Sequence, residues 1–355
     1  MSCYNWISNA YTLRKVSNDD IEAFKISKVV SDTAEVLVCK TIDDNWLYYR
    51  NDGSAVPFVV ASPDYARVTA CAASDSPEDG LDSAILRFLL RTAFECRFCH
   101  EGIVSLHAAC VELDGCAVAF TGRSGTGKST RARAWVEGLG AQFISGDRPA
   151  IRLEANGSTA CGVPWDGKEQ IFRDVEVPLK CILEVRRSPL NYVRRLSQEQ
   201  ARQVIVQQSF IPMWDTEAAV MAMANIHALI RKTPVYRVFC GPSAQDAKAI
   251  HDILINHPER IRKEKNDMKI KKGFVLRNVV DEYIVMPTGD NIAKFEGAVV
   301  LNEVSAFIFK QLENSVSRDD LLAALLNEFE VDEATAAADL DALLRQFTDL
   351  GLLEA

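Results

Sequence analysis

The chain has 355 residues, 48% of them hydrophobic and 25% charged, with a formal net charge of −9. That length predicts two or three domains with a sizeable core, and the acidic balance argues against nonspecific nucleic-acid binding. No apolar run is long enough to span a membrane, and the first residues lack a basic segment followed by an apolar one. The expectation is a cytoplasmic chain with no nucleic-acid or membrane partner, its ten cysteines kept as reduced thiols.

Charge divides the chain. Residues 273–355 hold 5 Lys/Arg and 16 Asp/Glu, net −11, which leaves residues 1–272 at net +2. That shift predicts two functional units.

Residues 1–80 read as a β-rich N-terminal region. Runs at 34–41, 46–50, 56–61 and 66–73 are β-branched or alternating, with turn formers between them such as Asn51-Asp52-Gly53. A helix is expected from about Leu81 to Cys99, with Ile85, Phe88, Leu89 and Thr92 on one face. Cys96-Arg97-Phe98-Cys99-His100 spells a c-type haem attachment pattern. Without an export signal or a second Cys pair, it reads as buried thiols at a helix end.

An apolar strand, Ile103 to Leu106, ends at His107. A second runs from Ala108 to the turn at Asp114-Gly115, and a third from Cys116 to Phe120. The third leads into Gly122-x4-Gly127-Lys128-Ser129, the phosphate-binding loop pattern, with a helix expected after it. Glycines let backbone N–H groups turn toward phosphate oxygens, and the helix N-terminus adds partial positive charge. Gly122, Ser124, Gly125, Thr126, Gly127, Lys128, Ser129 and Thr130 are the expected nucleotide-binding residues. Lys128 would reach the β/γ-phosphates, and Ser129 would offer its hydroxyl to Mg²⁺. The hairpin spacing brings His107 near the same point, where it could polarise an acceptor hydroxyl or sit as a core histidine. A further strand, Ala141 to Ser145, ends in Gly146-Asp147-Arg148. Asp147 could hold Mg²⁺ or take an acceptor's proton. Glu184, inside an apolar run, resembles the acidic end of a Walker B strand or is simply a strand-end Glu. The turn-rich stretch Cys161 to Lys168 offers Asp166 and Lys168 as a substrate loop, or is only an ordered turn. Residues 197–231 read as helical, Val235 to Phe239 as a strand and Asp246 to Asn256 as a closing helix.

The run Leu106-His107-Ala108-Ala109-Cys110-Val111, then Asp114-Gly115, then Phe120 to Thr130, resembles the HPr serine kinase/phosphorylase superfamily. It is especially similar to the HPr-kinase-like proteins of peptide-modification clusters, including lasso-peptide kinases. Gly162 to Lys168 and Pro234 to Val238 fit the same pattern. The resemblance covers about residues 80–257. It implies ATP- and Mg²⁺-dependent phosphoryl transfer to a serine hydroxyl, with His107 and Asp147 near the γ-phosphate. Two departures stand out. Gly146 occupies a position where the family commonly has the first of two adjacent Asp residues, and the signature Glu-x-Arg-Gly is absent, which argues against HPr as substrate.

Residues 258–272 are polar and Lys-rich and read as a linker. Beyond it come short strands near 274–277, 282–286 and 298–301 and three helices, the second starting at Ser317-Arg318-Asp319-Asp320. The segment Leu301 to Ile308 and the ending Leu350-Gly351-Leu352-Leu353 resemble the PqqD family. The resemblance implies that residues 273–355 bind the leader of a precursor peptide as an added strand beside the third strand and against the third helix. The fold class expected is α/β throughout: β-rich residues 1–80, an HPr-kinase-like P-loop domain at 81–257, a linker at 258–272, and a winged-helix-like PqqD domain of three strands and three helices at 273–355. Alternative readings are a nucleotide-gated peptide chaperone, weak in catalysis because of Gly146, a regulatory kinase of a carrier protein, and, for residues 273–355, a plain helical cap. A homo-oligomer is compatible with the sequence.

Overall fold

The computed structural model describes residues 11–15, 21, 24–33, 36–51, 57–72, 84–164, 171–261, 268–279, 282–291, 298–314 and 316–354. It is mixed α/β and divides into two compact units. The first comprises residues 1–185, 196–236 and 242–248, and the second residues 186–195, 237–241 and 249–355.

The first unit opens with a six-stranded sheet of order β1-β6-β5-β4-β3-β2. Its strands are β1 (Tyr11–Lys15), β2 (Ile26–Asp32), β3 (Val36–Thr41), β4 (Trp46–Arg50), β5 (Phe58–Ala61) and β6 (Val68–Ala72). Only β1 pairs in parallel, with β6. β1 and β2 add to the four strands expected from sequence. The described part of β2 is almost wholly exposed, so it has no buried face to impose alternation.

The helix that follows, α1 (Ala84–His100), is buried on more than the one expected stripe. Leu86, Leu89, Ala93 and Cys96 pack on the six-stranded sheet against Trp46, Tyr48 and Val59. Phe94 and Phe98 face the other way, onto Ile103, Ala150, Cys161 and Val163. A helix covered on both sides must be apolar nearly all round, which blurs a single-face pattern. Ile85 and Phe88 are only partly buried. Cys96 and Cys99 are buried thiols. Burial pushes Cys99 up to about 12 and Cys96 well above the usual thiol range, so neither is a ready thiolate.

The second sheet runs β10-β8-β9-β13-β12-β11-β7. These are β7 (Ile103–Ser105), β8 (Ala108–Leu113), β9 (Cys116–Thr121), β10 (Gln142–Ser145), β11 (Ala150–Glu154), β12 (Gly157–Cys161) and β13 (Glu176–Arg187). β8 and β9 form a hairpin in which Ala108 stands opposite Thr121. β9 and β13 are parallel, with Thr121 beside Glu184. The helix α2 (Lys128–Leu139) follows β9. The expected helical stretch 197–231 is two helices, α3 (Gln198–Gln208) and α4 (Thr216–Lys232). Pro212 lies between them, and Asp215 caps α4 by accepting from the N–H groups of Glu217 and Ala218. The Tyr65 hydroxyl donates to the same carboxylate at 2.8 Å.

β14 (Tyr192–Arg195) pairs with β15 (Val235–Cys240), and α5 (Ala244–Ile255) leads to residues 258–261; the division between the units falls within β15 and within α5, and the rest of the second unit follows α5 in the chain. A three-stranded antiparallel sheet has β17 (Glu282–Pro287) at its centre, between β16 (Phe274–Val279) and β18 (Val299–Leu301). Three helices complete it: α6 (Glu303–Leu312), α7 (Arg318–Glu328) and α8 (Glu333–Asp349). Their core includes Phe309, Leu321, Leu340 and Phe347, with Val285 from the sheet. Ser317 and Asp320 cap α7 reciprocally, the box the sequence suggests. Ile270 lies within the stretch read as a linker, yet it is buried in this core and bridges to Leu353.

A buried ion pair fixes α7 inside this unit. Arg194, 3% exposed, donates to the Asp320 carboxylate at 2.5 Å, and Arg237 lies 3.6 Å from the same oxygen. Tyr192 stacks on Phe239 and donates its hydroxyl to the Asp319 carbonyl. Arg194→Met should destabilise the second unit by about 3 kcal/mol in urea unfolding, because a buried carboxylate loses its main partner. Arg194→Met with Asp320→Asn should recover part of that loss. A single-variant cost below about 1 kcal/mol would show that the pair is not structural.

Candidate functional site

The site forms where the β8–β9 hairpin, the β9-to-α2 turn and the end of β10 meet. β9 is buried along nearly its whole length, so its direction is fixed by the sheet and the chain must turn sharply at Gly122. Gly122 has φ 140°, and a Cβ there would sit 3.2 Å from Thr126 Oγ1 and 3.4 Å from the Val185 carbonyl. Gly127, the residue before α2, has φ 91° and ψ 34°, a left-handed conformation that other residues adopt only at a cost. The Thr126 hydroxyl donates to the Arg123 carbonyl at 2.9 Å and braces the loop. Ser124, Gly125 and Thr130 are exposed, while Gly127 and Ser129 are half-buried. Lys128 is buried, and its Nζ donates to the carbonyls of Gly122 at 3.1 Å and Arg123 at 3.4 Å. The ammonium therefore lies within the loop at the start of α2.

The hairpin register sets His107 across from the loop, one residue before Ala108, and the Thr121 hydroxyl donates to the His107 carbonyl at 2.9 Å. β10 pairs with β8 on the other side, and the Ala108 N–H donates to the Asp147 carbonyl at 2.7 Å. The two side chains meet: His107 Nε2 lies 3.3 Å from Asp147 Oδ1, each about one-third exposed. Burial, helped by the Lys128 and Arg148 charges, lowers the proton affinity of His107, and Asp147 opposes the shift. Burial likewise lowers that of Lys128, again opposed by Asp147. Lys128, Asp147 and His107 thus lie within electrostatic reach of one another, one from the start of α2 and two from the chain flanking β10 and β8.

Glu184 stands beside Thr121 and is buried, next to the root of the loop. Asp166 and Lys168 lie outside the described residues. Among the described residues no three His, Cys, Asp or Glu side chains cluster as a metal cage. Ser129 and Asp147 supply one hydroxyl and one carboxylate, donor types that a hard cation such as Mg²⁺ takes.

Sequence reading missed three residues here. Glu95 of α1 is 2% exposed and accepts from the Ser105 hydroxyl at 2.6 Å and from Arg148 at 3.2 Å. Arg91 Nε lies 3.7 Å from the same carboxylate. A Glu flanked by Phe94 and Cys96, in a helix packed on both sides, was the available signal, because such a carboxylate needs a buried partner.

Residues 282–353 match the family model described as Coenzyme PQQ synthesis protein D (PqqD). No curated protein matches the chain. Among solved structures, TbiB1 in complex with the TbiA(beta) leader peptide is 25% identical, over 24% of this chain and 95% of its own, with a TM-score of 0.22. A lasso peptide synthetase B1 complexed with the leader peptide is 18% identical, over 25% of this chain and 99% of its own, also at 0.22. The Hpr(Ser) kinase/phosphatase from Coxiella burnetii is 13% identical, over 44% of this chain and 96% of its own, at 0.25. Among the described residues no helix is long and apolar enough to cross a membrane. The second unit carries a PqqD domain at the C-terminal end of the chain.

Proposed function

We propose that this chain is an ATP- and Mg²⁺-dependent kinase with an HPr-kinase-like P-loop domain. It phosphorylates a serine hydroxyl of a ribosomally synthesised precursor peptide, whose leader binds residues 273–355. The observation that carries the reading is the His107–Asp147 pair beside a phosphate loop with Lys128 buried at its root. Backbone N–H groups from Ser124 to Ser129 would hold the phosphates. Lys128 would neutralise charge on the transferring group, and Ser129 with Asp147 would hold Mg²⁺. His107, paired with Asp147, takes the proton from the serine hydroxyl as its oxygen bonds to the γ-phosphorus. The bond to the bridging oxygen breaks, and ADP leaves with that electron pair.

The PqqD match supports recruitment by a peptide. Among the described residues β18 pairs with β17 alone, and its Val300 is 60% exposed, so an apolar strand edge is open to an added strand. Mass spectrometry of candidate precursors after incubation with ATP tests the whole reading. A gain of one phosphate on serine is expected, and nucleotide binding without transfer to any precursor would favour the chaperone reading instead.

His107 must be neutral to accept a proton, and its environment lowers its proton affinity below the usual imidazole value of 6.5. Going down in pH, the acid limb of kcat/KM should therefore have its midpoint below 6.5, as His107 becomes protonated. A limb centred above 6.5 would remove His107 from the proton transfer.

A further inference from the structure

Glu95, Arg148 and Arg91 form a charged cluster that the transfer chemistry leaves unused. Glu95 is a single buried carboxylate facing two guanidiniums. It also accepts the Ser105 hydroxyl at 2.6 Å, so its position is held from two sides. Arg91 and Arg148 keep 22% and 25% of their side chains exposed, so both reach solvent while anchored from below. Asp147 acts on Arg91 as well, but Lys128, Arg91 and Arg148 together still outnumber the carboxylates of Glu95 and Asp147 by one positive charge.

The surplus lies beside the acceptor machinery. Arg148 is the next residue after Asp147 and acts on His107, while Arg91 feels the charges of both Asp147 and Arg148. Ser105, which donates to Glu95, is two residues before His107, and Arg148 directly follows Asp147, so the cluster is tied to the chain on both sides of the His107–Asp147 pair. A group meeting the arginines is therefore placed next to that pair. Guanidiniums select planar carboxylates by paired hydrogen bonds, and pre-anchoring reduces the ordering cost.

We infer that Arg148 and Arg91, positioned by Glu95, bind a carboxylate next to the acceptor hydroxyl, so that serines flanked by an acidic residue are preferred. This rests on the kinase reading above. The carboxylate would meet the positive charge that Glu95 and Asp147 leave over and would hold the serine against His107 and Asp147. Arg148 and Arg91 are then specificity residues. Glu95 is a positioning residue that acts through them.

The test uses the full chain with two capped peptides containing one serine, flanked by Asp in one and by Asn in the other. Transfer from labelled ATP should favour the Asp peptide by about tenfold or more in kcat/KM, the scale of one charge-assisted pair. Arg148→Gln combined with Glu95→Gln removes both charges, so no buried carboxylate is stranded, and should bring the ratio close to one. Arg91→Gln alone should lower it partway. A purely structural role would lower thermal stability without moving the ratio. Equal use of both peptides by the wild type, or a ratio that survives in the variants, overturns the inference. If neither peptide is phosphorylated, the precursor assay above decides the kinase reading separately. Anisotropy of the same labelled peptides with protein saturated by a non-hydrolysable ATP analogue then decides the binding claim. Preference for the Asp peptide that is lost in the double variant upholds it, and equal binding sinks it.

Discussion

Lys128→Ala should reduce phosphoryl transfer by at least about 10³, on the order of 4 kcal/mol of transition-state stabilisation, in a protein that still folds. Lys128 is the first residue of α2 and is buried, with its ammonium on the carbonyls of Gly122 and Arg123. Alanine is the best helix former at that place, and the loop keeps its Thr126–Arg123 brace, so structure should survive the change. What goes is the buried ammonium within the loop, in a site where a partly desolvated charge counts for more than in water. Nucleotide affinity should fall by less than the rate does, because the backbone N–H groups remain. Single-turnover transfer of labelled γ-phosphate, alongside thermal unfolding, gives both readings. Lys128→Arg should not rescue, since a planar fork does not fit a position shaped for a compact ammonium. Wild-type turnover in a folded Lys128→Ala protein would end the phosphate-loop account.

What was legible in the sequence follows how local each determinant is. The phosphate loop is readable because strand, glycines and helix start lie within fifteen consecutive residues, and the conformations at Gly122 and Gly127 need that residue type in place. His107 beside Asp147 was half legible. Strand ends near a loop can be inferred from spacing, but the contact depends on β10 pairing with β8 rather than following β9. The C-terminal helices were legible from their apolar spacing and the Ser317 cap; α6 buries Ala306, Ile308, Phe309 and Leu312 and packs Phe307 against the same core, while Val304 stays exposed. The Glu95–Arg148–Arg91 cluster was not legible. Its members sit on α1 and after β10, and they meet only because α1 is packed between two sheets. The break between α3 and α4 was missed for a simpler reason. Helical spacing continues across it, and Pro212 was the breaker to weigh.

Asp147→Asn should lower kcat by about 10² to 10³, on the order of 3–4 kcal/mol, with only a modest loss of nucleotide affinity. The substitution leaves the backbone alone, so the Ala108 N–H keeps its bond to the residue 147 carbonyl, and asparagine matches the size of aspartate. The rate falls because the carboxylate 3.3 Å from His107 can no longer share a proton or ligate Mg²⁺. Gly146 supplies no neighbouring acid to take over. The residual activity should carry a distinguishing mark. Asp147 is the charge that holds the proton affinity of His107 up, against burial and the Lys128 and Arg148 charges. Removing it lets His107 drop further, so the acid limb of kcat/KM should move to lower pH in Asp147→Asn. His107→Asn should lose rate as well, but with no imidazole its acid limb should vanish rather than shift. If Asp147→Asn loses rate while the limb stays where it was, Asp147 acts on the metal alone and His107 is not its partner in proton transfer. If the rate is unchanged, the acid has to be sought at Glu184, the buried carboxylate beside Thr121 at the root of the loop.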